Sequence, residues 1–215
     1  MNTPFIRNHQ YNYIKKQAEF LQHTLRTVAD RRVLETVRYR TALNIIEAFE
    51  TLTDHQQQML EQIATFETTQ EFQKYLDGLE SYLEPYPQIT QKQVQKLFPK
   101  NKKLKVPDLA TIDFRLVTYL SWVDIATSKL FIVYPLEGHF IGLEGRINPT
   151  NKKGYCLFCN RQQQLAFFVV RSKRANSSPD NFYSIGQYIC QVSHDCNHRI
   201  TDIEALEKFI HSTRA

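Results

Sequence analysis

Glycine and proline are missing from Phe5 through Asp77. So long an interval without either breaker excludes a series of short strands joined by tight turns and argues for helices. Long apolar runs are missing too. The longest stretches, Leu130–Tyr134 and Leu165–Val170, are strand-sized, well short of the roughly 18 residues of a membrane helix. The segment Met1–Gln10 is polar, contains Pro4 and lacks the apolar core of a signal peptide. These absences lead to the expectation of a cytoplasmic protein with no membrane partner. Six glycines and eight prolines rule out collagen-like and low-complexity chains. Catalytic signatures are absent as well. There is no Gly-rich phosphate loop, no Gly-x-Ser-x-Gly elbow and no His-Glu-x-x-His. An enzyme is not expected, and no catalytic residue is assigned.

What is present divides the chain in two. Its 215 residues allow one large domain or two small ones. With 42% hydrophobic and 23% charged residues, wholesale disorder is excluded. Residues 1–84 hold 9 Lys/Arg and 12 Asp/Glu, net −3; residues 85–215 hold 18 and 10, net +8, together the overall +5. A basic second half suits an acidic partner.

Ile14, Ala18, Leu21, Leu25 and Val28 recur at helical spacing. Leu34 to Phe49 continue the pattern in a second segment, Met59, Ile63 and Phe66 in a third, and Phe72 to Leu83 in a fourth. Thr53-x-x-Gln56 and Thr68-x-x-Glu71 are capping boxes, in which each side chain satisfies the other residue's free N–H. The expectation is an antiparallel four-helix bundle over 1–84. Glu84-Pro85-Tyr86-Pro87 marks the boundary, because two prolines hold the chain extended. Thr90-x-x-Gln93 opens one further short helix. A connector rich in lysine follows, with Lys100, Lys102, Lys103 and Lys105, and Lys92 and Lys96 upstream.

Beyond Ile112 the pattern is α+β. Leu116–Trp122 and Leu130–Tyr134 read as strands. Glu137-Gly138 and Glu144-Gly145 read as turns around Phe140–Leu143. Ile203, Leu206, Phe209 and Ile210 form a last helix, with Thr201 or Asp202 as its N-cap.

The cysteines carry the chemistry. Cys156 and Cys159 form a Cys-x2-Cys knuckle, and Cys190 and Cys196 a second pair. Between the pairs, Leu165–Lys173 and Phe182–Ile189 read as strands joined by the polar loop Arg174–Asn181. A helix follows the second pair. Knuckle, hairpin, second pair and helix make the treble-clef order, here over about 152–215 within an 85–215 α+β domain. Two close thiolate pairs complete the tetrahedral shell that Zn2+ prefers. One structural zinc is expected, bound by all four cysteines. His194 and His198 stand beside Cys196 as alternatives for one ligand. A closed four-sulfur site leaves no position for water, so zinc hydrolysis is disfavoured.

His9-Gln10-Tyr11-Asn12-Tyr13-Ile14, the lysine-rich connector, Ser121-Trp122, Cys156-x2-Cys159-Asn160, Gln187-Tyr188-Ile189-Cys190 and Thr201-Asp202-Ile203…Phe209-Ile210 occur in this order. Together they resemble the FusB-type family, the elongation factor G-binding proteins of fusidic acid resistance. The resemblance covers nearly the whole chain. It implies a non-enzymatic protein that binds the C-terminal domains of elongation factor G, mainly through the zinc finger. Such a protein releases the factor from ribosomes on which the drug has trapped it. The ribosome is then an indirect partner, and direct nucleic-acid binding is not expected. A monomer is expected. The family's partner contacts fall on Tyr155, Tyr188 and Phe209. A lysine of the family falls on Ile185, which cannot make the charged contact; Arg171, Lys173 and Arg199 are nearby basic residues. Read from residues alone, the two tyrosines fit core and interface equally, and the periodicity of Phe209 fits core. The competing reading is an RNA- or ribosome-binding zinc protein, supported by Lys92 to Lys105, Lys152, Lys153, Arg171, Lys173 and Arg174.

Overall fold

The computed structural model describes residues 3–173 and 182–214, and the loop 174–181, with Arg174, lies outside them. The chain divides into two compact units, Met1–Glu84 and Pro85–Ala215. It is an α+β protein. No helix among the described residues is long and apolar enough to cross a membrane.

The first unit contains α1 (Asn8–Thr27), α2 (Arg31–Ile46), α3 (Asp54–Glu61) and α4 (Thr69–Leu79). Tyr11, Ile14, Ala18 and Leu21 form the buried stripe of α1. Ala42 and Ile45 of α2, Leu60 of α3, and Phe72, Tyr75 and Leu79 of α4 complete the core. Both expected capping boxes form. Gln56 N–H donates to Thr53 Oγ1 at 3.3 Å and Thr53 N–H to Gln56 Oε1 at 2.9 Å. Thr68 and Glu71 repeat the exchange at 2.8 and 3.3 Å. Glu67 N–H also donates to Glu71, and these bonds hold the Glu71 carboxyl below its ordinary pKa.

All four periodic segments outrun their helices: Val28 is the C-cap of α1, and α4 gives way after Leu79 to a 3-10 turn over Glu80–Tyr82 before Leu83. Helix α2 ends at Ile46, so Phe49 lies beyond it, with its ring 5.9 Å from Phe5. Helix α3 passes into a 3-10 turn over Gln62–Thr65. Arg38 Nη1 closes that turn by donating to the carbonyls of Ala64 and Phe66 at 2.7 and 2.6 Å. The buried tyrosines tie helix to helix. Tyr11 Oη donates to Leu76 O at 3.2 Å and Tyr75 Oη to Leu60 O at 3.1 Å. Burial holds both hydroxyls protonated, with Tyr11 raised to about 12.

The second unit begins with α5 (Gln91–Leu97), capped by Thr90 and Gln93 as expected. Five antiparallel strands follow: β1 (Leu120–Asp124), β2 (Lys129–Leu136), β3 (His139–Tyr155), β4 (Gln162–Lys173) and β5 (Phe182–Cys190). They lie side by side in sequence order. Two short helices end the unit, α6 (Ser193–Asn197) and α7 (Glu204–Ser212).

Leu130–Tyr134 is apolar throughout because β2 is buried on both faces. Leu130, Ile132 and Tyr134 join a core with Phe168, Val170 and Leu206, Phe209 and Ile210 of α7. Phe131 and Val133 face Val94 and Phe98 of the α5 segment. Tyr86 Oη donates to Val133 O at 2.9 Å on that second face.

Three local expectations change. The strand expected from Leu116 starts at Leu120, after a 3-10 turn over Phe114–Leu116. The N–H groups of Thr118 and Tyr119 are taken by the side chain of Asn197 instead of a neighbouring strand. Glu137-Gly138 is the expected turn, with φ of 51° and 77°, the left-handed pair that a two-residue hairpin requires. Glu144-Gly145 is not a turn. It lies within β3, where Gly145 pairs with Leu130 and Val170. A Cβ at Gly145 would come within 2.4 Å of Val169 O and 2.6 Å of the Phe168 ring. Gly145→Ala is therefore expected to destabilise the second unit by about 3 kcal/mol through overpacking against backbone. Denaturant unfolding of the variant checks this. Finally, the N-cap position of α7 is Ile203, not Thr201 or Asp202, although Asp202 Oδ1 still accepts from Glu204 N–H at 2.8 Å.

Candidate metal centre and partner-binding face

Strand β3 runs into Cys156, and the chain turns tightly through Asn160 before β4. Asn160 N–H donates to Cys156 O at 2.9 Å, and Asn160 takes φ 48°. An asparagine tolerates this left-handed position better than most residues. Cys156 N–H donates to Arg161 O at 3.1 Å, and Leu157 N–H to Tyr188 O at 2.9 Å. The second bond fastens the knuckle to β5. Cys190 is the last residue of β5, and Cys196 sits on α6.

These elements converge the four sulfurs. All lie within 4.8 Å of one another, and all four cysteines are buried. Cys156 and Cys196 sulfurs are 3.8 Å apart, and those of Cys159 and Cys190 3.5 Å. A zinc–sulfur bond of about 2.3 Å in a tetrahedron implies sulfur–sulfur edges of about 3.8 Å, so the donors fit the ion. None of the four is in a disulfide. Neither His194 nor His198 belongs to the group. His198 Nδ1 instead meets His194 O at 2.9 Å.

Crowding sets the protonation of the thiols. Hydrogen bonding, first from Cys159, drives Cys156 far below its ordinary pKa. Bonding to Cys156 in turn pushes Cys190 and Cys196 well up. Four adjacent thiolates repel one another unless a divalent cation lies between them. The donor set, its closure and its spacing make this a structural zinc site with one ion per chain. Cys190 N–H donates to Cys156 Sγ at 3.2 Å, a backbone bond that favours the thiolate.

The surroundings of the site were not legible beforehand. Tyr119, nearly fully buried, lies beside Cys196, and its hydroxyl is held protonated first by burial and then by that sulfur's charge. Asn197, next to a ligand, is the larger omission. Its Oδ1 accepts from Thr118 N–H at 2.7 Å and Tyr119 N–H at 3.2 Å, and its Nδ2 donates to Tyr119 O at 3.0 Å. It thereby fastens α6 to the entry of β1. Its position directly after the fourth cysteine was the sole hint. Asn197→Ala leaves buried backbone groups without partners, so a loss of about 2–3 kcal/mol is expected. Thermal unfolding of the zinc-loaded variant measures it.

The three residues expected at the partner interface do not share one environment. Tyr155 is 68% exposed and Tyr188 41% exposed. Each adjoins or nearly adjoins a ligand, and the Tyr188 ring lies 5.0 Å from Phe167. Phe209 is not brought to the surface with them. It is 4% exposed, its ring 5.8 Å from Phe158 and 5.9 Å from Phe168. That is the burial its helical periodicity gives. Ile185 packs against the same core, while Arg171 and Arg199 are exposed.

Fold and site together define a protein with a helical first unit and a second unit that closes in a four-cysteine treble-clef zinc finger. The chain belongs to the elongation factor G-binding protein family. Residues 5–87 match the N-terminal domain of elongation factor G-binding protein, and residues 93–211 match the C-terminal treble-clef zinc finger of the same family. The chain is also similar to a solved structure described as the fusidic acid resistance protein FusC. The two share 28% identity and a TM-score of 0.82 over 97% of each chain. No curated protein matches significantly.

Proposed function

We propose that this protein binds elongation factor G through its zinc-finger unit and releases the factor from ribosomes stalled by fusidic acid. The observation that carries the reading is the similarity to FusC over 97% of each chain, together with the match to the family's zinc-finger domain. The protein acts as a cytoplasmic monomer and catalyses no reaction. Its two units serve as separate domains, a helical bundle over 1–84 and a partner-binding domain over 85–215, with the finger from about 152. The C-terminal domains of the factor are the partner region, and the ribosome is engaged only through the factor.

Tyr155 and Tyr188 are the direct contacts. Aromatics beside a metal-rigidified turn lose little conformational entropy on docking and make strong anchors. Phe209 supports them from below by holding α7 against the finger. Release follows from binding energy alone. A protein that binds the free factor in a shape incompatible with the stalled complex shifts the population towards release. Moving that equilibrium from 1:99 to 99:1 requires about a 10^4-fold preference for the released form.

Calorimetric titration into purified elongation factor G, at low and high salt, tests binding. Pelleting of drug-stalled ribosomes with and without the protein tests release. One-to-one binding that survives salt, with the factor moving to the supernatant, is the expected result. Binding that collapses with salt indicates phosphate contacts instead.

A further inference from the structure

One face of the sheet is covered over only part of its width. At the β1–β2 side, Leu120, Phe131 and Val133 lie under Val94 and Phe98. The register carries the same face onward through Arg146, paired with Val169, which pairs with Gly186. The next row is Asn148, Phe167 and Tyr188. Neither core of the second unit takes in Phe167, Val169 or Tyr188. Arg146, Arg171, Phe182 and Tyr188 are exposed, and Phe167 and Val169 are half-buried.

A solvated sheet face ordinarily alternates to small polar and charged residues. This one instead carries three aromatics, a valine and two arginines, the residue types enriched in protein–protein interfaces. The aromatics are held in place. The Phe167 ring lies over Gly186, where a Cβ would come within 2.4 Å of it, and it also meets Tyr188. The Arg171 guanidinium stands 5.4 Å over the Phe182 ring. The charges are available. Neither arginine is in an ion pair among the described residues. Glu144, the nearest acid along β3 on this face, is bonded to Lys129 and Asn101.

We infer that this open face, formed by Phe167, Val169, Phe182, Tyr188, Arg146 and Arg171, is the seat of elongation factor G on this chain. It takes a surface of the factor in which carboxylates surround an apolar centre. The inference rests on the proposed factor binding and extends it from single tyrosines to a whole sheet face. Its charge argument comes from the two arginines: Arg146 of β3 stands beside Val169, and Arg171 follows Val169 on β4, between it and Phe182.

The test titrates full-length variants into purified elongation factor G. Zinc content and melting temperature are matched to the parent chain first. R146E/R171E and Phe182→Ala are each expected to weaken binding at least about tenfold. K92E/K96E makes the same change in net charge on α5 and is expected to stay within about threefold of the parent. Full affinity in R146E/R171E and Phe182→Ala, with binding lost in Tyr188→Ala, overturns the face while leaving the factor reading intact. Equal losses in R146E/R171E and K92E/K96E overturn it in favour of unspecific charge. Lost retention on an RNA matrix with unchanged factor affinity assigns the face to nucleic acid and also overturns it. A parent chain that binds no factor fails the proposed function itself, and the inference with it.

Discussion

Zinc removal is expected to unfold the second unit. The four ligands come from the knuckle after β3, the end of β5 and α6, so the ion joins segments that share few other covalent or local constraints. Cys156, Cys159, Cys190 and Cys196 also belong to the main apolar core of this unit. Loss of the ion leaves four buried, closely spaced thiols with no cation to hold them together. Structural zinc in small fingers contributes about 10–16 kcal/mol of apparent binding energy. A whole domain is stable by only about 5–15 kcal/mol. The chelated chain is therefore expected to lose its near-UV circular dichroism and its cooperative melt in this unit. Cys196→Ser, at a fully buried ligand, should do nearly the same. Acid acts in the same direction. Metal binding lowers the thiol pKa values, so this stabilisation holds at neutral and alkaline pH and is lost as falling pH protonates the thiolates. An unchanged melt after chelation, with zinc loss verified by atomic emission, would sink the structural assignment.

The second large effect separates two aromatics that the family resemblance placed in one role. Tyr188→Ala is expected to weaken factor binding by about thirtyfold to a thousandfold and leave the fold intact. The ring is 41% exposed and makes its contact with Phe167 on the open sheet face. Centrally placed interface aromatics commonly carry about 2–4 kcal/mol, which corresponds to about thirtyfold to a thousandfold. Phe209→Ala is expected to behave differently. Its ring packs between Phe158, which lies between two ligands, and Phe168 of β4. Truncating a buried phenylalanine costs about 3–5 kcal/mol, so the variant should melt early and lose binding through instability. Calorimetry and thermal unfolding on the same preparations read both outcomes. If Phe209→Ala keeps its melting temperature yet loses the factor, the ring acts at the interface after all.

Much of the fold is written locally. The threonine capping boxes at Thr53, Thr68 and Thr90 form because their partners stand three residues away, within reach in any helix. The knuckle forms because Cys156, Cys159 and Asn160 sit within one turn. The zinc ligand set was equally legible, since a metal demands a donor type and number that few other patterns satisfy.

What depended on distant neighbours was not legible. Gly145 looked like a turn residue, yet it serves the close approach of Val169 and Phe168 from a strand more than twenty residues away. Leu116–Thr118 looked like strand, yet Asn197 holds the N–H groups of Thr118 and Tyr119. The exposure of Tyr188 follows from which sheet face α7 leaves uncovered, whereas the burial of Phe209 was already indicated by its helical periodicity. The sequence by itself determined the helices, their caps and the metal chemistry, because short-range geometry and ligand identity suffice for them. Only the tertiary structure decided which aromatics meet solvent, because burial is a property of the surfaces brought together.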